Sequence, residues 1–106
     1  MEVQTDFEQV LNSIIDESIK GIIGERSASV IYYHLKGYGI DSNRLAENPL
    51  ALEKAMVEIF KVGWSVFEKA MISSLSKHLE ISIERFDHCS FENCIKMARS
   101  EFSNKS

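Results

Sequence analysis

The sequence NPLALEKAMVEIFKVGWSVFEKAMISSLSKHL, residues 48–79, is densely apolar and decides the fold. Two apolar stripes run along it at the spacing of an α-helix, one beginning with Leu52 and Met56 and the other with Leu50 and Val57. A helix that is apolar over so wide an arc is expected to be buried on more than one side. The stretch therefore predicts the centre of an all-α core.

The start and the middle of this stretch carry helix-boundary residues. Asn48 can cap the free N–H groups of a helix that begins at Pro49, where the missing proline N–H costs nothing. One unbroken helix over 49–79 would be about 45 Å long, against a diameter of roughly 33 Å for a compact domain of this length. Gly63 is the natural break, because a residue without Cβ tolerates a left-handed turn or a close backbone contact. The sequence predicts a central helix pair, 49–61 and 63–80, and a loss of stability in Gly63→Ala.

Three further helices and one extended segment are predicted around this pair. One helix begins near Thr5, where Thr5 and Glu8 have the spacing of a capping box. A second spans 25–36, and a third follows Ser90, which can cap it. Gly21 and Gly24 offer alternative ends to the first. Residues 81–86 alternate apolar and polar side chains, which favours a covering loop or, alternatively, a strand paired across a dimer. The whole chain, 1–106, is predicted to be a single compact helical domain of about five helices with short loops.

Composition limits the classes of function. With 106 residues, 44% apolar and 26% charged, the chain has the make-up of one ordinary globular domain. Its acidic, amphipathic first residues do not resemble a signal peptide, so a cytoplasmic protein without a membrane segment is expected. A net charge of −4 with interspersed signs argues against direct binding of nucleic acid. The sequence contains no phosphate loop, dinucleotide fingerprint or Ser/His/Asp pattern, so neither a cofactor nor catalysis is expected.

The one cluster of metal-ligand residue types is Asp87, His88 and Cys89, with Cys94 following. Zinc sites usually have two close ligand pairs, and a second pair is missing here. Cys94 falls on the apolar face of the last helix, where a free cysteine acts as a small hydrophobe. Structural thiols are therefore favoured over a metal site, and over a cysteine nucleophile oriented by a base.

Two groups of residues remain as candidate binding surfaces. Val30 and Tyr33 project away from the side of their helix that carries Ile31 and Leu35, so they either contact another helix or form a surface for a partner. The other group consists of large apolar residues of the central pair, for which an apolar ligand pocket is the alternative to core packing: Met56, Phe60, Trp64, Phe67 and Met71.

Several short runs carry a resemblance to a known family. They are SVIYYHL at 29–35, ENP at 47–49, EIF at 58–60 with Gly63, and FEKA at 67–70. In order and spacing, over about residues 5–100, the chain resembles the archaeal small helical domain called the nitrosopumilus output domain. Members occur alone or attached to receiver domains in archaeal signalling proteins. The resemblance implies a non-enzymatic output or interaction role, with a protein partner or a homodimer. It supplies no catalytic residues and says nothing about Cys89 and Cys94. A helical domain that binds a small apolar ligand or a metal is the alternative.

Overall fold

Helices account for nearly all of the described chain. The computed structural model describes the backbone of residues 3–105 and the side chains of residues 7–104. It contains α1 (Val3–Gly37), α2 (Pro49–Phe60), α3 (Trp64–Leu79) and α4 (Phe91–Lys105), with 3-10 turns at Ser42–Arg44, Lys61–Gly63 and Ile83–Phe86. The described residues form no strand. The all-α prediction is confirmed, whereas the count of about five helices is not.

Helix α1 is bent sharply at Gly24. Its 35 residues would span about 52 Å if straight, but the longest dimension of the molecule is 36 Å. Gly24 has φ 85° and ψ 162°, a conformation that only glycine adopts readily. The bend divides α1 into a first arm, 3–23, and a second arm, 25–37. Of the two predicted glycine ends, Gly24 is therefore the one used. Thr5 of the predicted Thr5–Glu8 capping box lies outside the described side chains.

The beginning of α2 confirms the prediction, but the break after it has a different cause. Asn48 Oδ1 accepts a hydrogen bond of 3.1 Å from Ala51 N, and Pro49 is the first helical residue. The chain turns at Lys61, with φ 56° and ψ −128°, close to the predicted position. Gly63 has ordinary helical angles, φ −65° and ψ −17°. The break was thus placed within two residues, but the expectation that Gly63 supplies the left-handed turn was wrong.

Residues 81–86 cover the core without being extended. Ile81 and Phe86 are buried, whereas Ile83 is exposed. A strand would put Ile81 and Ile83 on the same face, and the 3-10 turn over Ile83–Phe86 separates them. The prediction that this segment is extended was therefore wrong, although it covers the core as expected.

The core lies between the four helices. α1 packs against α3 and α4, and α2 packs against the same two helices. Ser90 Oγ caps α4 by accepting a hydrogen bond of 3.2 Å from Asn93 N, as predicted. The largest fully buried side chains come from every helix and from one connecting segment: Phe7, Leu11, Ile14, Ile15, Ile19, Leu35, Leu45, Leu52, Met56, Met71, Leu75 and Phe91. No helix in the described part of the chain has the length and apolarity needed to cross a membrane.

Candidate interaction surfaces

The second arm of α1 has a buried side and an exposed apolar side. Ala28 and Leu35 are fully buried. On the other side, Tyr33 is 76% exposed and Val30 is 54% exposed, and the Tyr33 ring has an edge contact with His34, centroids 6.2 Å apart. Because the core does not use these two side chains, their apolar area is open to solvent.

Helix α2 also exposes apolar side chains, and sequence reasoning missed this surface. Leu50 and Val57 are 38% and 41% exposed, although their stripe was predicted to be buried. Leu52 and Met56, on the opposite side of α2, are fully buried. A shallow groove runs along the exposed side and is lined by Leu50, Glu53, Lys54, Val57, Glu58 and Lys61. The charged residues between Leu50 and Val57 were the available sequence signal that this stripe faces solvent.

The residues considered for an apolar pocket fill the core. Met56 and Met71 are fully buried, and Trp64 and Phe67 are nearly so. The partly buried Phe60 packs against Phe67 with ring centroids 4.5 Å apart, and Trp64 makes an edge contact with the Phe91 ring at 5.2 Å. Close contacts of this kind are core packing. The buried Trp64 indole N–H finds no hydrogen-bond partner within the part of the chain that the structure describes.

The two cysteines have different environments at the start of α4. Cys94 is buried, and its Sγ lies 3.6 Å from the carbonyl oxygen of Phe86 and 3.8 Å from that of Cys89. Burial, with smaller effects of Cys89 and Glu68, raises the pKa of Cys94 to about 12. Cys94 is therefore a protonated packing residue at neutral pH, and Cys89 is exposed. Among the described residues, His, Cys, Asp and Glu form no group of three or more able to hold a metal ion.

A polar network joins the arms of α1. Tyr32 Oη donates a hydrogen bond to Asp16 Oδ1, and Lys20 Nζ lies 3.2 Å from Asp16 Oδ2. Burial, followed by the adjacent Asp16 carboxylate, raises the pKa of Tyr32 well above its usual range. Asn12 Oδ1 accepts a hydrogen bond of 3.2 Å from Ala46 N, which attaches the following loop to α1. These groups hold the fold, and the protonated Tyr32 is unsuited to act as a base near neutral pH.

The described residues form an all-α helical domain whose exposed apolar side chains include those of Val30 and Tyr33 on α1 and of Leu50 and Val57 on α2. No protein-family model matches the chain, and no curated protein or solved structure gives a significant match.

Proposed function

We propose that the domain is a non-enzymatic interaction module that works by contact with another protein, through a surface that includes Val30 and Tyr33. The observation that carries this proposal is the 76% exposure of Tyr33 beside an exposed Val30. Tyrosine suits a contact surface because it offers a large apolar area and one polar end at a small entropic cost. Burying the pair against a partner would remove that area from water.

The chemistry of the remaining polar groups agrees with a contact function. Tyr32 and Cys94, whose pKa values are raised most, are held in their neutral forms by the packing of the fold. The resemblance to the nitrosopumilus output domain adds a role to the proposal, as an output or interaction element of archaeal-type signalling in the cytoplasm. The packed state of Met56, Trp64 and Met71 argues against an apolar ligand between α2 and α3.

The test compares two tyrosine variants that carry the same chemical change. Tyr33→Ser removes the proposed contact, and Tyr38→Ser removes another exposed tyrosine, which lies beyond the end of α1. Tagged forms of the wild type and both variants are used to capture proteins from the native cell, with quantification of each protein retained. Tyr33→Ser should lose the specific partner while keeping the wild-type urea midpoint, and Tyr38→Ser should keep both.

Three results would contradict the proposal. One is identical capture by Tyr33→Ser and the wild type. Another is unfolding of Tyr33→Ser with no separate effect on capture, since Tyr33 would then be a residue of the core. The third is a copurified small molecule, seen by native mass spectrometry, that occupies the space between α2 and α3.

A further inference from the structure

The exposed side of α2 combines apolar and charged residues in a self-complementary pattern. Leu50 and Val57 lie seven residues apart, which is close to two helical turns, so they share one side of the helix. Glu53 and Lys54 lie between them on the same groove. We refer to Leu50, Glu53, Lys54 and Val57 as the α2 face. Its apolar area is larger than the core requires, because the opposite side of α2 already contributes Leu52 and Met56 to the core.

The charges of the α2 face form no ion pair with the other described residues of their own chain. Neither Glu53 nor Lys54 belongs to the ion pairs formed by the described residues. The charge of Glu53 also repels a neighbouring carboxylate, because burial, and then the charge of Glu53, raise the pKa of the Glu68 carboxyl. A cation brought against Glu53 from outside would relieve this repulsion.

We propose that the α2 face binds a second copy of this chain, with the two α2 helices antiparallel about a two-fold axis that passes between Glu53 and Lys54. In this arrangement Leu50 of each copy lies opposite Val57 of the other. Glu53 of each copy lies opposite Lys54 of the other, so the interface has two identical ion pairs and two identical apolar contacts. This equivalence is what a two-fold interface between identical chains requires.

The sequence of the face selects this register over the neighbouring one. Moving the axis by half a helical turn along α2 would place Glu53 opposite Glu58 of the other copy and Leu50 opposite Lys61. That register joins like charges and sets an apolar side chain against a cation, both of which are unfavourable. The same pattern favours a second copy over an unrelated helix, because each charge of the face finds its complement in the face itself.

The size of the face sets the expected strength of association. One side of a twelve-residue helix is smaller than the roughly 800 Å² per partner of stable interfaces. We therefore expect a weak monomer–dimer equilibrium with a dissociation constant of about 0.1–1 mM. It should weaken further with added salt, because the ion pairs lie at an exposed surface.

The experiment is sedimentation equilibrium of the full chain across this concentration range, with charge-reversal variants. Glu53→Lys places Lys opposite Lys, and Lys54→Glu places Glu opposite Glu, so each should weaken dimerisation at least tenfold. The double variant Glu53→Lys/Lys54→Glu recreates both pairs and should restore the wild-type constant. Glu17→Lys, at an exposed position of α1, makes the same change in net charge as Glu53→Lys and should have little effect.

Folding of each variant is checked by circular dichroism and the urea midpoint. Lys54 is exposed, so Lys54→Glu remains informative if the change at the partly buried Glu53 disturbs the fold. A chain that stays monomeric throughout, or a double variant as weak as the single ones, would overturn the proposal. The proposal would also be overturned if the changes on α2 left the dissociation constant of the dimer unaltered and Tyr33→Ser abolished the dimer, because self-association would then use the other surface. In the proposed arrangement Tyr33→Ser leaves the dimer unchanged, so the proposal for the Tyr33 surface and the proposal for the α2 face can be contradicted independently.

Discussion

Tyr32 donates a hydrogen bond of 2.5 Å to Asp16, and the two residues lie at equal distances along the chain on either side of Gly24. The bond therefore joins the first and second arms of α1 across the bend. The conformation of Gly24 makes the bend, and this partly buried polar contact holds the two arms together. The exposed position of Val30 and Tyr33 follows from that bend, because the opposite side of the second arm packs on the core.

Removing the Tyr32 hydroxyl should weaken this connection. Tyr32→Phe keeps the ring and deletes the hydrogen bond to the Asp16 carboxylate, which retains its ion pair with Lys20. We expect a loss of about 1–2 kcal/mol in the free energy of unfolding, because hydrogen bonds to charged groups contribute about 1.5–3 kcal/mol and this pair is only partly buried. Urea denaturation measures the change. A variant as stable as the wild type would show that the bond contributes nothing to holding the arms together.

The same pair predicts how stability changes in alkaline solution. The pKa of Tyr32 is raised above its ordinary value of 10.0 by burial and by Asp16. Above pH 10 the unfolded chain therefore releases this proton while the folded chain keeps it, so the stabilisation, complete below pH 10, declines as pH rises. The difference in stability between wild type and Tyr32→Phe should shrink from pH 9 to pH 11. A constant difference over that interval would show that folding does not raise the pKa of Tyr32.

The bend itself is tested by two glycine substitutions. Gly24→Ala forces a Cβ into φ 85° and should cost about 1–2 kcal/mol. Gly21 lies in the helical first arm with no atom within 4 Å of an added Cβ, so Gly21→Ala should stabilise by up to about 1 kcal/mol. Thermal unfolding of both variants gives the comparison. Equal and small effects would mean that α1 is straight at Gly24 in solution.

Sequence patterns predicted those elements in which neighbouring residues determine the structure. Asn48 and Pro49 begin α2 because capping and proline geometry act within one turn. Helical periodicity likewise placed Tyr33 and Leu35 on opposite sides of the second arm, but it left open whether another helix covers Tyr33. The exposure of Leu50 could not be predicted in this way, because burial depends on whether another helix covers that side, and folded proteins leave much apolar surface in water.

The turn between α2 and α3 is a second place where sequence reasoning failed. Glycine favours a left-handed conformation without requiring it, and here the chain turns two residues earlier, at Lys61. Which residue takes the strained angles depends on how α2 and α3 pack together, a tertiary effect that outweighs local preference.

That correction reverses the expected effect of Gly63→Ala. Gly63 has helical angles, and a Cβ there would meet Phe60 Cβ at 3.6 Å, an ordinary contact. Alanine should therefore leave stability unchanged or raise it by up to about 1 kcal/mol. Lys61→Gly relieves a φ of 56° and should also stabilise, by about 1 kcal/mol. Urea midpoints below that of the wild type for both variants would show that Lys61 does not adopt a positive φ and that Gly63 is not helical in solution.

The environments of the two thiols predict different reactivity toward an alkylating reagent. Cys89 is exposed, whereas Cys94 is buried with its pKa raised to about 12, and thiolate is the reactive form. Iodoacetamide at pH 8 should therefore add one group to the native chain and two in denaturing urea, as counted by intact mass. Cys89→Ser should take up none under native conditions and one in urea. Rapid double modification of the native wild type would show that Cys94 is accessible and is not a packing residue of α4.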